Sequence, residues 1–155
     1  MKASIRPATA RDINYLMDID LKCYEYPLDY SAWRVYITSP DIELLVATIE
    51  AAPIGFIVFT KTEILRLAVK AAYRKEGTGS RLINNALDSA RQAGGDKLDI
   101  IVPETSCLPG HPDDVSAFLM GNNFVAKPPI IEGIFEMYGR PVDGYCFESP
   151  EWLHT

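Results

Sequence analysis

The residues best suited to chemistry lie in the stretch Arg74-Lys75-Glu76-Gly77-Thr78-Gly79-Ser80, where a polar loop separates a short apolar run from a long amphipathic segment. At a helix N-terminus the first backbone N–H groups lack partners and the peptide dipoles add positive charge, so such a turn attracts a phosphate. Gly77 and Gly79 lack a Cβ, which lets the backbone approach a bulky anion and take torsions that other residues avoid. Arg74 and Lys75 add positive charge and Ser80 offers a hydroxyl. Two familiar phosphate loops do not fit. The nucleotide-hydrolase loop places lysine directly after its second glycine, where Ser80 stands. The dinucleotide fingerprint needs a third glycine where Leu82 stands. What remains is an anion cradle of another kind, or a strand-to-helix turn that two glycines merely shape.

A cradle needs a strand to end before it and a helix to begin within it. The run 63–69 (EILRLAV) is β-rich, and from Gly79 onward Leu82, Ile83, Ala86, Leu87 and Ala90 recur on one helical face. The run 97–102 (KLDIIV) is the next strand, and a strand–helix–strand unit of this kind sets its two strands parallel. Upstream, 3–6 reads as a strand. Thr9 and Asp12 resemble a capping box ahead of a helix carrying Ile13, Leu16, Met17 and Leu21. The stretch YEYPLDYS (24–31) interrupts that helix, and Ser31 is placed to cap a second one with Trp33, Tyr36 and Ile37. The runs 43–50 and 54–60 form a hairpin and, with 63–69, three successive antiparallel strands. Downstream come a loop with three prolines (103–114), a short helix (115–124) and a closing hairpin, 130–138 with 142–148. The expectation is one α+β domain over residues 1–155, with a mixed twisted sheet of about seven strands and about four helices.

Composition narrows the function. With 155 residues, 48% hydrophobic and 23% charged, the chain has an ordinary globular make-up. No apolar run approaches the roughly 18 residues needed to cross a bilayer, and the N-terminal stretch has no signal-peptide core; a cytoplasmic protein without membrane contact is expected. A net charge of −6 argues against gripping nucleic acid along its backbone. Cys23, Cys107 and Cys146 show no paired metal-ligand spacing and read as reduced, mostly buried thiols, so no metal is expected.

The order strand, Arg-x-x-Gly-x-Gly loop, amphipathic helix resembles the central motif of the GNAT N-acetyltransferase superfamily, and the order of elements along nearly the whole chain is similar to that family's. The nearest layout is the RimI-type branch, which acetylates ribosomal proteins and protein N-termini. The resemblance implies a GNAT fold with a central β-loop-α-β acyl-CoA unit, and transfer of an acetyl group from acetyl-CoA to an amine. It assigns the cofactor to Leu67, Ala68 and Val69 on the strand and to Arg74, Lys75, Glu76, Gly77, Thr78, Gly79 and Ser80 on the loop. Counting back eleven residues from Arg74 reaches Glu63, where the histone-acetylating branch carries its catalytic base. The RimI-type branch places its glutamate on the following strand, where Ile100 and Ile101 stand, leaving Asp99 or Glu104 as substitutes. The family's usual acid is a tyrosine on the helix before a Gly-Phe pair. Here Leu119 occupies the tyrosine position and Asn123 that of the glycine. Tyr138, with Tyr145 as alternative, is the candidate acid from the closing hairpin. His111 lies in the long connection before that helix, and Asp113 and Asp114 are placed to cap it.

The interrupted first helix resembles the acceptor loop of RimI-type enzymes. On that basis Tyr24, Tyr26 and Tyr30, with Trp33, line a wall for a peptide, while Glu25 and Asp29 hold an ammonium. The expected acceptor is a peptide α-amine or a lysine, with a small amine or polyamine as a variant, and a homodimer is among the options for assembly. The competing expectation, prompted by Leu119, is a weak or inactive CoA-binding module on the same fold.

Overall fold

A computed structural model describes residues 2–24, 26–107, 114–137 and 139–151. In chain order these form β1 (Ser4–Pro7), α1 (Ile13–Cys23), α2 (Tyr30–Thr38), β2 (Glu43–Ile49), β3 (Ala52–Phe59), β4 (Ile64–Val69), α3 (Thr78–Gln92), β5 (Asp99–Pro103), α4 (Val115–Gly121), β6 (Val125–Met137) and β7 (Arg140–Glu148), with short 3-10 turns at Ala10–Asp12, Ala71–Tyr73 and Glu104–Ser106. The expected strand and helix numbers are present, and the strands divide into two antiparallel sheets, β1-β2-β3-β4 and β5-β7-β6.

The first sheet is covered on both faces. Ile54, Ile57 and Phe59 alternate with Phe56 and Val58 along β3. The first set packs against Leu82, Ile83, Ala86 and Ala90 of α3, the second against Ile13, Leu16 and Ile19 of α1 and Trp33 of α2. The capping box at the entry to α1 forms, with the Thr9 N–H donating to Asp12 Oδ2 at 2.8 Å. Two helix expectations are corrected. The buried stripe of α1 is Ile13, Leu16, Ile19 and Asp20, while Leu21 is 64% exposed, because the helix turns that position to solvent. α2 is capped by Asp29, whose Oδ1 accepts from the Ala32 N–H at 2.9 Å, so Ser31 falls inside the first turn.

The two sheets meet between β4 and β5 at a single parallel bridge, Glu63 with Asp99, where the Asp99 N–H donates to the Thr62 carbonyl at 3.0 Å. Just after the bridge β4 carries a bulge: Phe59 and Val58 on β3 face Ile64 and Arg66, leaving Leu65 without a partner residue on β3. A bulge increases local twist and bends its strand, which suits a divergence at this point. The parallel pairing expected for these strands is therefore confined to the bridge, and past Glu63 and Asp99 the two strands part to leave a wedge between them.

The second sheet is less covered. β6 begins at Val125, five residues earlier than the hydrophobic run suggested, because an edge strand tolerates Pro128 and Pro129. Register irregularities between Lys127 and Ile131 and between Ile131 and Phe135 accommodate the extra residues. α4 ends in a Schellman turn, with Phe124 N–H donating to Leu119 O and Asn123 N–H to Met120 O, both at 3.0 Å. Asn123 takes φ 69, which explains why asparagine can stand where glycine was expected. Among the described residues no helix is long and apolar enough to cross a membrane.

Candidate functional site

The glycine loop continues from the end of β4, and its two glycines have different work. Gly77 sits at φ 84 as the cap of α3, provides no side chain to occupy the first-turn N–H groups, and has nothing within 4 Å of where a Cβ would stand. Lys75 shares the left-handed region at φ 66, so the loop bends twice before the helix. Gly79 is needed for space: a Cβ there would lie 3.0 Å from the Phe118 ring of α4. Lys75, Glu76 and Gly77 are exposed, Thr78 is buried, and Gly79 and Ser80 are half-buried. The Arg74 side chain turns back to the strand, its Nε donating to the Val69 carbonyl at 2.8 Å and its Nη2 reaching Cys23 Sγ at 3.4 Å.

Above the loop, Leu67 presents its N–H and C=O away from β3. Both are met by one side chain, for Tyr24 Oη donates to Leu67 O at 2.8 Å and accepts from Leu67 N at 3.1 Å. Leu67 and Val69 pack toward the α3 face, while Ala68 packs toward α1. The Tyr24 ring lies under the Arg66 guanidinium, 3.8 Å from its centroid. Arg66 Nε donates in turn to Asp20 Oδ1 at 2.6 Å, and Asp20 Oδ2 accepts from the Leu28 N–H at 2.7 Å. Asp20 is fully buried. Burial pushes the Tyr24 phenol above its ordinary range, partly offset by the Leu67 backbone and the Arg66 cation. This Asp20–Arg66–Tyr24 network was not foreseen from sequence. Its signal was a carboxylate at a position that helical spacing assigns to the buried stripe of α1.

Glu63 stands at the closed end of the wedge, exposed, its carboxylate without a hydrogen bond among the described residues. Its bridge partner Asp99 has one carboxylate oxygen, Oδ1, buried without a hydrogen-bond partner among them. The backbone thus brings Glu63 and Asp99 together. Glu63 lies four residues from Leu67, about 13 Å along an extended strand. Glu104 is exposed at the turn after β5.

The other candidates scatter. Tyr26 and Tyr30 are 45% and 50% exposed, and Tyr26 offers its carbonyl to Arg66 Nη2 at 3.0 Å. Asp29 is engaged as the α2 cap. Trp33 is not part of a wall: it is fully buried, packed edge-on against Tyr36 and Phe56, because its side of α2 faces the sheet. Leu119 is likewise buried in the core. Tyr145 lines a separate cavity of about 350 Å³ with Ser116, Met120 and Ile130. Ser116 and Met120 are one turn apart on α4, on the side away from Phe118, so α4 stands between this cavity and the glycine loop. Glu25, Tyr138, His111 and Asp113 lie outside the described residues. Asp114 caps α4 through the Ser116 N–H at 3.1 Å. Burial raises the Cys107 and Cys146 thiols above their ordinary range, in keeping with unreactive thiols.

Where β4 and β5 diverge, β4 runs on into the glycine-capped N-terminus of α3. The family model described as Acetyltransferase (GNAT) family matches residues 13–106. The chain belongs to the GNAT acetyltransferase family. The matched stretch runs from the start of α1 to the turn after β5, and so spans both the buried network and the loop. No curated sequence matches the chain significantly. Among solved structures the fold is similar to that of Arabidopsis thaliana NAA60 in complex with a bisubstrate analogue (17% identity, 94% of this chain and 96% of that one, TM-score 0.81). It is similar also to the ribosomal-protein-S18-alanine N-acetyltransferase of Escherichia coli (13%, 99% and 96%, 0.79) and to the putative acetyltransferase yncA of Salmonella typhimurium with its cofactor acetyl-CoA (15%, 100% and 97%, 0.75). The acetyl donor of this GNAT enzyme is acetyl-CoA.

Proposed function

We propose that the chain moves the acetyl group of acetyl-CoA to the primary amine of a peptide or protein, an N-terminal α-amine or a lysine, and that residues 1–155 act as one catalytic unit. The observation that carries this is the wedge. It opens where β4 and β5 part, beside a β4 edge whose Leu67 backbone is held by Tyr24 and whose Val69 carbonyl is held by Arg74, and leads to the glycine-capped start of α3, where a pyrophosphate meets the first-turn N–H groups. The fit is supported by Gly79, whose missing Cβ leaves room between the helix start and Phe118. Peptide acceptors are supported by the likeness to NAA60 and to the ribosomal-protein-alanine enzyme. When bound, acetyl-CoA supplies a thioester carbonyl open to attack.

The rest of the chemistry falls to the chain. A neutral amine must lose a proton as it attacks, and Glu63, exposed at the wedge's closed end, takes it through water, with Asp99 beside it keeping the water oriented. The bulge at Leu65 frees the strand backbone for the developing oxyanion, a contact worth roughly 3 kcal/mol when preorganised. The acceptor enters between the α1–α2 segment, with Tyr26 and Tyr30, and the β6–β7 hairpin.

The test is CoA release from acetyl-CoA against a panel of peptides, lysine-containing substrates and polyamines, beside calorimetric titration with CoA. Turnover with a peptide and a drop of about 100-fold in kcat for Glu63→Gln are expected. Tight CoA binding with silence across the panel would make the chain a CoA-binding module, the alternative that the missing tyrosine at Leu119 favours.

A further inference from the structure

Side chains already occupy the hydrogen-bonding edge of β4 that borders the wedge. Tyr24 Oη donates to the Leu67 carbonyl at 2.8 Å and accepts from the Leu67 N–H at 3.1 Å. Arg74 Nε donates to the Val69 carbonyl at 2.8 Å, and Cys23 Sγ lies 3.7 Å from the same oxygen. In the acetyl transfer proposed above, the pyrophosphate meets the start of α3 and the thioester faces Glu63, so the arm that joins them passes Val69 and Leu67. Resting on that reading, we infer that Tyr24 is a latch that closes this edge of β4, and that acetyl-CoA binds by displacing its hydroxyl from Leu67.

The latch and the arm compete for the same groups. The arm of acetyl-CoA carries secondary amides, each with one N–H and one C=O, and a strand residue that turns both backbone groups outward pairs with such an amide. The Tyr24 hydroxyl is donor and acceptor at once, so it satisfies both groups of Leu67 as an amide would. A backbone N–H has a single proton to donate. Leu67 therefore serves Tyr24 or the arm, not both.

Release of the latch is local. Tyr24 is the C-cap of α1, with φ −123 and ψ 140, so its side chain can swing away without unwinding the helix. Arg66 stays in place, because its Nε holds Asp20 Oδ1 at 2.6 Å and its Nη2 holds the Tyr26 carbonyl at 3.0 Å, and neither bond involves the phenol. Asp20 Oδ2 likewise keeps the Leu28 N–H at 2.7 Å. What is given up is the pair of bonds to Leu67 and the stack of the ring at 3.8 Å from Arg66, while the buried ion pair and the approach to α2 persist. A latch open about one-tenth of the time would weaken the apparent affinity for the cofactor about tenfold.

The test is calorimetric titration of the full chain and of Tyr24→Phe with two probes: CoA, and its nucleotide half, adenosine 3′-phosphate 5′-diphosphate, which has the pyrophosphate but no arm. The substitution keeps a ring under Arg66 and removes the bonds to Leu67, so CoA should bind about tenfold more tightly while the nucleotide half binds as before. A residue that served only the fold would move both affinities or neither. Because the variant gives up a half-buried hydroxyl, a second measurement is independent of its folding: 3-fluorotyrosine at position 24, followed by fluorine NMR. The signal should move on addition of CoA and stay in place with the nucleotide half. Equal or weaker CoA binding by Tyr24→Phe, or a fluorine signal unmoved by saturating CoA, would overturn the latch. If neither protein binds CoA, the proposed acetyl transfer itself fails.

Discussion

β3 and β6 are both long strands, but β3 is buried at every position after its first and β6 is exposed along most of its length. Helices cover β3 from both sides, while β6 is the edge of the smaller sheet. The donor side as proposed, meaning β4 and the glycine loop, hangs on the first kind of structure. The hairpin proposed to face the acceptor belongs to the second. The contrast teaches where change is tolerated: substitutions near β4 should cost folding and donor binding together, whereas those on β6 should alter acceptor choice at little cost in stability.

The sharpest test of the buried side is Asp20→Ala. Asp20 is fully buried and holds Arg66 at 2.6 Å, so its removal strands a largely buried cation, a change of the sort that costs about 3–5 kcal/mol. A fall in Tm of roughly 10 °C should appear by calorimetry. A loss of only a degree or two would show that solvent reaches Arg66 and that the two halves differ less than their burial implies.

The glycine loop comes next. Gly79→Ala places a methyl against Phe118 and should weaken CoA binding about tenfold, read by titration. Phe118→Ala in the same chain should restore most of it, since two residues in contact do not act additively. Gly77→Ala meets no neighbour but must hold φ 84, at about 1 kcal/mol of stability. If the two alanine variants behaved alike, space and torsion would not be separate requirements in this loop.

A smaller effect concerns the entry to α1, at the first sheet's rim. Arg6 holds the Asp12 carboxyl below the usual range, with the Thr9 N–H adding to it. A carboxylate with a lowered folded-state value contributes stability that is fully present above the unfolded value near pH 4 and lost as pH falls through the lowered one. Arg6→Ala should therefore reduce Tm at neutral pH and flatten its fall under acid, measured by thermal melts from pH 6 downward. An unchanged acid limb would mean that Arg6 is too solvent-screened to matter.

How far the sequence disclosed this division depends on which signals are local. The α3 stripe from Leu82 to Ala90, the capping box at Thr9 and Asp12 and the loop torsion at Gly77 are written within a few residues, and each is found where the spacing put it. The wedge is not local. It depends on a bulge at Leu65 and on where β4 and β5 stop touching, both products of packing between distant segments. Asp20 meeting Arg66 and Tyr24 meeting Leu67 span 46 and 43 positions, and an aromatic-rich loop gives no hint which ring turns inward. Trp33 did so, as its size and helical face demanded, while Tyr26 and Tyr30 remained outside.

The mildest intervention probes the exposed side. Ile130 and Ile134 of β6 are 51% and 45% exposed, so neither contributes much buried area. Serine at either site should shift stability by about 0.5 kcal/mol or less. Acetyl-CoA affinity should also hold, since α4 stands between the cavity that Ile130 lines and the glycine loop. What should change is kcat/KM among peptide acceptors that differ at the residue after the amine, by several-fold, because an apolar side chain there loses a partner on the hairpin while a polar one does not. A uniform loss across all acceptors would instead tie β6 to the fold or to donor binding, and the division between a rigid donor side and a variable acceptor side would no longer describe this enzyme.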